Sequence, residues 1–214
     1  MAKKHMPKVL IVGGDRLVGD MFVKQGWDIV NHNAGQGRPD LVCFTGGADV
    51  DPALYGEPNV ASSINKPRDE AEIKVFKEFD KAPKVGICRG GQFLNVMSGG
   101  KMWQDIKGHT RYHQAINLLT GTELYVSSTH HQMMRPGRGG EELMIATEAS
   151  DHKNGDPKDN AVPNHDTEVV WYRDTNSLCF QPHPEYQTGD DDLVNAFFGM
   201  VDYFWKLRGT PVKG

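Results

Sequence analysis

The sequence predicts an α/β fold with three layers, in which a mainly parallel central sheet is flanked by helices and a smaller antiparallel section lies in the second half. In the first half, short apolar runs that end at glycines alternate with amphipathic segments, as in parallel strands connected by helices. In the second half, apolar runs follow one another across short turns, which indicates antiparallel pairing. We expect the 214 residues to form a single domain, 1–214.

The elements of the first half are predicted from apolar runs and the glycines that end them. Runs rich in β-branched residues predict strands at 7–15, 27–32, 39–47 and 83–88. Apolar residues with helical spacing predict helices at 15–26, 67–82 and 90–100.

The second half is predicted to contain strands at 116–132, 141–149 and 167–185. A final helix is expected at 191–209, where apolar residues recur every three or four positions. The segment 151–166 is polar and rich in turn-forming residues, so a mobile loop is predicted there.

Composition excludes several classes of partner. A net charge of −4 gives no basic surface of the kind that nucleic-acid binders carry, so no nucleic-acid partner is expected. No apolar run approaches the roughly 18 residues of a membrane-spanning helix. The first residues contain no apolar stretch before a cleavage site, which predicts no signal peptide and a cytoplasmic location.

The cysteines and the glycine-rich turns give no indication of a metal or a cofactor. Three cysteines without a C-x-x-C pair argue against both a disulfide framework and a thiolate zinc site. The strand-end turns in "IVGGD" and "FTGGAD" lack the glycine spacing and the lysine of nucleotide-binding loops. We therefore expect no cofactor, and Cys43 and Cys179 are interpreted as small core residues.

The stretch Gly86-Ile87-Cys88-Arg89-Gly90 has the G-x-nucleophile-x-G form of a nucleophile elbow, a sharp turn between a strand and a helix. Small flanking residues let the Cys88 side chain project, and the positive end of the following helix favours a thiolate. The N–H of Arg89 is in position to bind a developing oxyanion. The alternative is a glycine-rich packing turn with a buried cysteine.

A candidate base follows near the end of the chain, in "CFQPHPEY". A strand that ends at His183, with Glu185 two residues later, holds an imidazole and a carboxylate in a fixed relation. The alternative is a surface histidine in a proline-rich turn. The pair His130 and His131 in "THHQ" points to opposite faces of a strand, which argues against a shared metal ion.

Five motifs in order resemble those of the class I glutamine amidotransferase superfamily, closest to its γ-glutamyl hydrolase branch, which includes γ-glutamyl-γ-aminobutyrate hydrolases. The resemblance covers about residues 39–186 and rests on "FTGGADVDPALYGE", "RDEAE", "GICRGGQFLNVMSGGKMWQDI", "THHQ" and "QPHPE". It implies a flavodoxin-like amidotransferase fold. The chain departs from the family pattern at Pro182, where an aromatic residue is usual, and in its short segment before residue 39.

The resemblance implies a Cys88-His183-Glu185 triad that hydrolyses the side-chain amide of glutamine or a γ-glutamyl compound through a thioester. It further implies that the backbone N–H groups of Gly46, Gly47 and Arg89 bind the oxyanion. The side chains of Gln92 and His131 are implied to contact the substrate. Two alternative functions stay open: a glutaminase subunit that supplies ammonia to a separate synthetase, and a catalytically silent scaffold of the same fold. For the assembly state, a homodimer stays open.

Overall fold

The computed structural model of the chain describes residues 6–32, 37–107, 111–153, 165–186 and 192–207. The strands are β1 (Lys8–Val12), β2 (Asp28–Val30), β3 (Leu41–Phe44), β4 (Lys84–Ile87), β5 (Lys101–Trp103), β6 (Asp105–Lys107), β7 (Arg111–Asn117), β8 (Thr122–Ser128), β9 (Met133–Arg135), β10 (Gly140–Ala146), β11 (Asp151–Lys153), β12 (Thr167–Tyr172) and β13 (Ser177–Phe180). The helices are α1 (Arg16–Lys24), α2 (Lys66–Glu78), α3 (Arg89–Met97) and α4 (Asp192–Leu207), with short 3-10 turns at Pro52–Tyr55 and Pro184–Tyr186.

The main sheet runs in the order β2-β1-β3-β4-β13-β12-β10-β7-β8. Pairing is parallel from β2 to β13 and antiparallel from β13 to β8. The predicted α/β fold with a helix-flanked central sheet is confirmed. The antiparallel section is as extensive as the parallel one. Within it, β7–β8 and β12–β13 are each joined by a short turn, which only antiparallel pairs permit.

Strand β3 shows how the three layers are arranged. Its residues alternate between two hydrophobic clusters, with Leu41 and Cys43 in one and Val42 and Phe44 in the other. The first cluster includes residues of α1 and α4, and the second includes residues of α3. Both faces of the sheet at β3 are therefore covered by helices, in keeping with the complete burial of the neighbouring strands β3, β4 and β13.

Local signals explain where the first helix begins. Asp15 precedes α1, and its Oδ1 accepts hydrogen bonds from the backbone N–H groups of Leu17 (2.8 Å) and Val18 (3.2 Å). These bonds satisfy donors that have no partner inside a helix. The carboxylate also lies at the positive end of the helix dipole, which adds to the stability of α1.

Several elements differ from the sequence predictions. The run 116–132 contains the end of β7, a turn and all of β8, and the short strands β5, β6, β9 and β11 have no counterpart among the predicted elements. The segment 151–166 begins with β11, which pairs with β6, and residues 154–164 of that predicted loop lie outside the described residues. None of the described helices has the length and apolar character needed to cross a membrane. A single domain over 1–214 stays a prediction.

We expect Gly86→Ala to lower the free energy of unfolding by about 1–3 kcal/mol, because overpacking a filled interior costs that much. A Cβ atom at Gly86 would lie 2.2 Å from the carbonyl carbon and oxygen of Gly90, so α3 would have to move away from β4. Urea denaturation of the variant measures the loss.

Gly199→Ala is the matched control for this substitution. Gly199 is exposed in α4, and a Cβ there would have no neighbour within 4 Å. Alanine favours the helix over glycine by about 0.5–1 kcal/mol, so this variant should unfold at slightly higher urea. Equal effects of the two substitutions would contradict the close approach of α3 to β4.

Candidate active site

Cys88 occupies the turn between β4 and α3 in a strained backbone conformation. Its φ of 53° and ψ of −116° lie in a region that residues other than glycine rarely adopt. Two backbone hydrogen bonds hold it there: its N–H donates to Phe180 O (2.7 Å), and its carbonyl accepts from Gln92 N–H (3.0 Å). This is the nucleophile-elbow geometry that the sequence predicts.

Of the three cysteines, Cys88 is the least buried. Its residue is 8% exposed, whereas Cys43 and Cys179 are 0% exposed within β3 and β13. Burial raises the pKa of the Cys43 and Cys179 thiols well above the usual value, so both stay protonated and unreactive. The prediction that these two are core residues agrees with their positions.

His183 follows the end of β13 and is fixed on three sides. Its Nδ1 lies 2.6 Å from Glu185 Oε1, a distance at which the ring nitrogen donates to the carboxylate. The hydroxyl of Ser127 in β8 accepts from His183 N–H (3.0 Å) and donates to His183 O (3.1 Å). Tyr186 stacks on the imidazole, with ring centroids 4.3 Å apart. The imidazole therefore has a single orientation.

The surroundings of His183 favour its protonated form. Burial disfavours the charged ring, but the interaction of the ring with the Cys88 sulfur and its hydrogen bond to the Glu185 carboxylate outweigh burial and raise the pKa of His183 to about 10. Its Nε2 makes no regular hydrogen bond to any described residue, although the Cys88 sulfur is near enough to act on this pKa. An imidazolium beside a thiol stabilises the thiolate through charge attraction.

The turn after β3 meets the thiol and the imidazole. A Cβ atom at Gly46 would lie 3.3 Å from His183 Cε1 and 3.9 Å from Cys88 Cβ. Within the described residues, the backbone N–H groups of Gly46, Gly47 and Arg89 have no hydrogen-bond acceptor. Three donors thus lie beside the reactive groups, and their action as an oxyanion hole stays a prediction.

The two predicted substrate-binding side chains lie in different environments. Gln92 is 2% exposed, and its amide nitrogen donates to Gln132 O (3.2 Å) and Gln181 Oε1 (3.1 Å). The side chain of His131 is 48% exposed and pairs with Asp49 Oδ2 at 3.1 Å. Contact of either residue with a substrate stays a prediction.

His130 and His131 are predicted to lie on a strand, but both lie in the connection between β8 and β9, where side-chain alternation does not apply; their environments nevertheless differ. His130 is 9% exposed, and its Nδ1 lies 2.7 Å from Gln132 O. The part of the chain that the structure describes contains no group of three or more histidine, cysteine or carboxylate side chains arranged to hold a metal ion.

Sequence reasoning missed a buried ionic cluster next to the elbow, formed by Arg68, Asp69, Glu72 and Arg89. The segment "RDEAE" by itself indicates only a helix and a family motif. A signal was present, since Arg68 and Glu72 are four residues apart and face the same side of α2. The roles of Ser127 and Tyr186 beside His183 were missed as well, and no sequence pattern marks them.

The chain is similar in sequence to several known proteins. The Peptidase C26 family model matches residues 36–133. A glutamine amidotransferase-like protein of Lactococcus lactis is 40% identical over 96 residues, which is 43% of this chain and 39% of that protein. The carbamoyl phosphate synthase small chain of Rhodopirellula baltica is 26% identical over 177 residues, covering 80% of this chain.

The solved structures extend the likeness to the whole fold. A Thermoplasma acidophilum protein, determined as a GMP synthase subunit, superposes with a TM-score of 0.65 at 17% identity, over 97% of this chain and 100% of that one. At this identity the match shows the fold alone. The chain spans 39% and 42% of the lengths of the two curated relatives named above, which are longer proteins.

We expect iodoacetamide to alkylate Cys88 in the folded protein and to leave Cys43 and Cys179 unmodified. The thiols of Cys43 and Cys179 are fully buried and protonated, whereas Cys88 is 8% exposed and lies beside an imidazolium. Peptide mass spectrometry after a short exposure measures the modification of each thiol, and protein unfolded in urea serves as the control, in which all three react. Comparable labelling of all three thiols in the folded state would contradict the assignment.

The His183 ring is expected to stay protonated at neutral pH and to lose its proton only as the pH rises through about 10. Since Cys88 and Glu185 both favour the charged ring, Cys88→Ala and Glu185→Gln should each lower this pKa toward the ordinary 6.5. Titration of isotope-labelled histidine by NMR measures the value. A wild-type midpoint near 6.5, unchanged in both variants, would refute the coupling.

Proposed function

We propose that this chain, a class I glutamine amidotransferase-like protein by fold and sequence, is a cytoplasmic cysteine-dependent amidohydrolase of the γ-glutamyl hydrolase branch. It cleaves the side-chain amide of glutamine or of a γ-glutamyl compound and releases glutamate with ammonia or an amine. The observation that carries the proposal is Cys88 at a strained elbow beside an imidazole whose pKa is raised to about 10. Its three cysteines are free thiols, in keeping with a reducing compartment.

The acylation step follows from the positions of Cys88 and His183. The Cys88 thiolate attacks the amide carbonyl carbon, and the carbonyl electrons move onto oxygen. His183 then gives its Nε2 proton to the amide nitrogen, the C–N bond breaks, and the amine departs. A γ-glutamyl thioester remains on Cys88. Glu185 keeps the ring oriented through Nδ1 and stabilises its positive charge.

Hydrolysis of the thioester reuses the same groups. His183, now neutral, takes a proton from water, and the resulting hydroxide attacks the thioester carbonyl. The C–S bond breaks, glutamate leaves, and the thiolate–imidazolium pair is restored. In both steps the tetrahedral oxyanion is bound by the N–H groups of Gly46 or Gly47 and of Arg89, and each such donor contributes about 10²–10³ in rate.

A second candidate is a glutaminase that delivers ammonia to a separate synthetase. The likeness to a carbamoyl phosphate synthase small chain over 80% of this chain favours it, since that protein is one subunit of a synthase. The chemistry at Cys88 is the same in both candidates, and they differ only in the leaving group and in the need for a partner. A silent scaffold is the weakest alternative, because the chain retains the cysteine, the histidine and the carboxylate that the proposed chemistry requires.

Wild-type protein should release glutamate from glutamine or from γ-glutamyl amides, and Cys88→Ala should reduce kcat by about 10³-fold or more, because loss of the nucleophile removes the covalent route. Glutamate release is measured with a coupled dehydrogenase assay across a panel of γ-glutamyl amines. The thioester is trapped by acid quenching and detected by intact-protein mass spectrometry.

Cys179→Ala is the matched control, because it removes a thiol of the central sheet outside the proposed reaction and should keep wild-type kcat. Turnover of glutamine alone, with ammonia release, would favour the glutaminase candidate, whereas turnover of γ-glutamyl amines would favour the free-standing hydrolase. Absence of glutamate release and of a trapped thioester with every substrate would overturn the proposal.

A further inference from the structure

The Gly46–Gly47 turn is held at both ends by arginine side chains. The carbonyl oxygen of Thr45, just before the turn, accepts a hydrogen bond from Arg68 Nη2 (2.9 Å). The carbonyl oxygen of Ala48, just after it, accepts from Arg89 Nε (3.0 Å). A guanidinium is planar and rigid, so each bond fixes one end of the turn with little freedom.

Both arginines are bound by the same carboxylate. Arg68 Nε donates to Glu72 Oε1 (2.8 Å), and Arg89 Nη1 donates to Glu72 Oε2. Arg89 Nη2 also donates to Asp69, one turn earlier in α2. Glu72 is the one residue of this cluster whose two oxygens bind different arginines, so it sets their relative positions.

The cluster also fixes the second oxyanion donor. Arg89 is the residue after the nucleophile, and its backbone N–H lies at the start of α3 while its side chain holds Ala48. The Arg68 guanidinium packs against Gly47, where a Cβ atom would lie 1.8 Å from Nη1. Glu72 therefore connects both sources of backbone N–H groups through two arginine side chains.

The charged side chains of this cluster are buried, so each one depends on its oppositely charged partners. The side chains of Asp69, Glu72 and Arg89 are 4%, 3% and 2% exposed. Burial lowers the pKa of Arg89 to about 10, which still leaves it charged at neutral pH. The two positive and two negative charges balance, and loss of one carboxylate leaves an excess positive charge in a mostly buried cluster.

We propose that Glu72 is a positioning residue that sets the distance between the oxyanion donors on the Gly46–Gly47 turn and the donor of Arg89. The inference rests on the proposed amidohydrolase function. It assigns to Glu72 an effect on stabilisation of the tetrahedral oxyanion, and none on formation of the thiolate–imidazolium pair. Substrate binding in the ground state, where the carbonyl oxygen carries no full charge, depends little on these donors.

Glu72→Gln is the direct test. We expect kcat for glutamate release to fall by about 10²–10³-fold with KM within about threefold, because misplaced oxyanion donors act on the transition state. Affinity for glutamate γ-semialdehyde, which forms a tetrahedral adduct with Cys88, should fall by a similar factor. The rate of Cys88 alkylation by iodoacetamide should stay within about twofold, because alkylation develops no oxyanion.

Glu57→Gln is the matched control for removal of a buried carboxylate. The Glu57 side chain is 2% exposed, and it binds Lys101 Nζ (3.2 Å) and Arg135 Nη1 (3.3 Å) away from the turn. This variant should lose stability to a similar degree without the loss of kcat. If Glu72→Gln fails to fold, Arg68→Lys is the second variant. It removes the guanidinium that donates to both Glu72 and Thr45, at a partly exposed position. It should show a smaller fall in kcat, again at nearly unchanged KM and alkylation rate.

Amide hydrogen exchange separates failure of this inference from failure of the proposed function. In Glu72→Gln the amides of Thr45 and Asp49, which flank the turn and donate to Val12 O (3.0 Å) and Ser63 O (2.9 Å), should exchange at least about tenfold faster than in wild type and in Glu57→Gln, whether or not any substrate is turned over. Unchanged exchange, or a kcat equal to that of Glu57→Gln, would overturn the positioning role. A parallel fall in kcat and alkylation rate would overturn it too, since Glu72 would then support the elbow itself.

Discussion

The close approach of α3 to the backbone of the sheet is the constraint on which the rest of the site depends. Gly90 and Gly91 leave no room for a Cβ atom, since one at Gly90 would lie 2.1 Å from Phe44 O and one at Gly91 would lie 2.8 Å from Phe180 N. With α3 pressed onto β3 and β13, the chain must turn sharply at Cys88. The cost of that backbone conformation is of order 1–3 kcal/mol and is offset by burial and by hydrogen bonds around the elbow.

Two charged systems lie on either side of the Gly46–Gly47 turn. On one side, His183 and Glu185 form a hydrogen-bonded pair whose imidazole, under the proposed mechanism, gives up and regains a proton. On the other, the cluster centred on Glu72 is buried and charge-balanced and makes no proton transfer. A low-dielectric site benefits from this division, because fixed dipoles beside a reacting carbonyl stabilise charge without reorganising.

The parallel half and the proximity of Cys88, His183 and Glu185 could be predicted from the sequence, because the segments that carry them are marked locally. Apolar runs that end at glycines mark β1, β3 and β4, and the elbow and the His-Pro-Glu motif are short segments with distinctive residues. Strands of three residues such as β5, β9 and β11 show no periodicity, so sequence patterns do not reveal them. The bonds from Arg68 and Arg89 to Thr45 and Ala48 depend on how distant segments pack, which no local pattern reports.

Strand β13 lies in the middle of the sheet, between β4 and β12, yet it is the last strand of the described chain to be synthesised. A growing polypeptide on the ribosome therefore presents Cys88 well before His183 is made. Until β13 inserts, the Cys88 thiol has no His183 imidazole beside it. The order of translation thus brings the two side chains together only when the central sheet is complete.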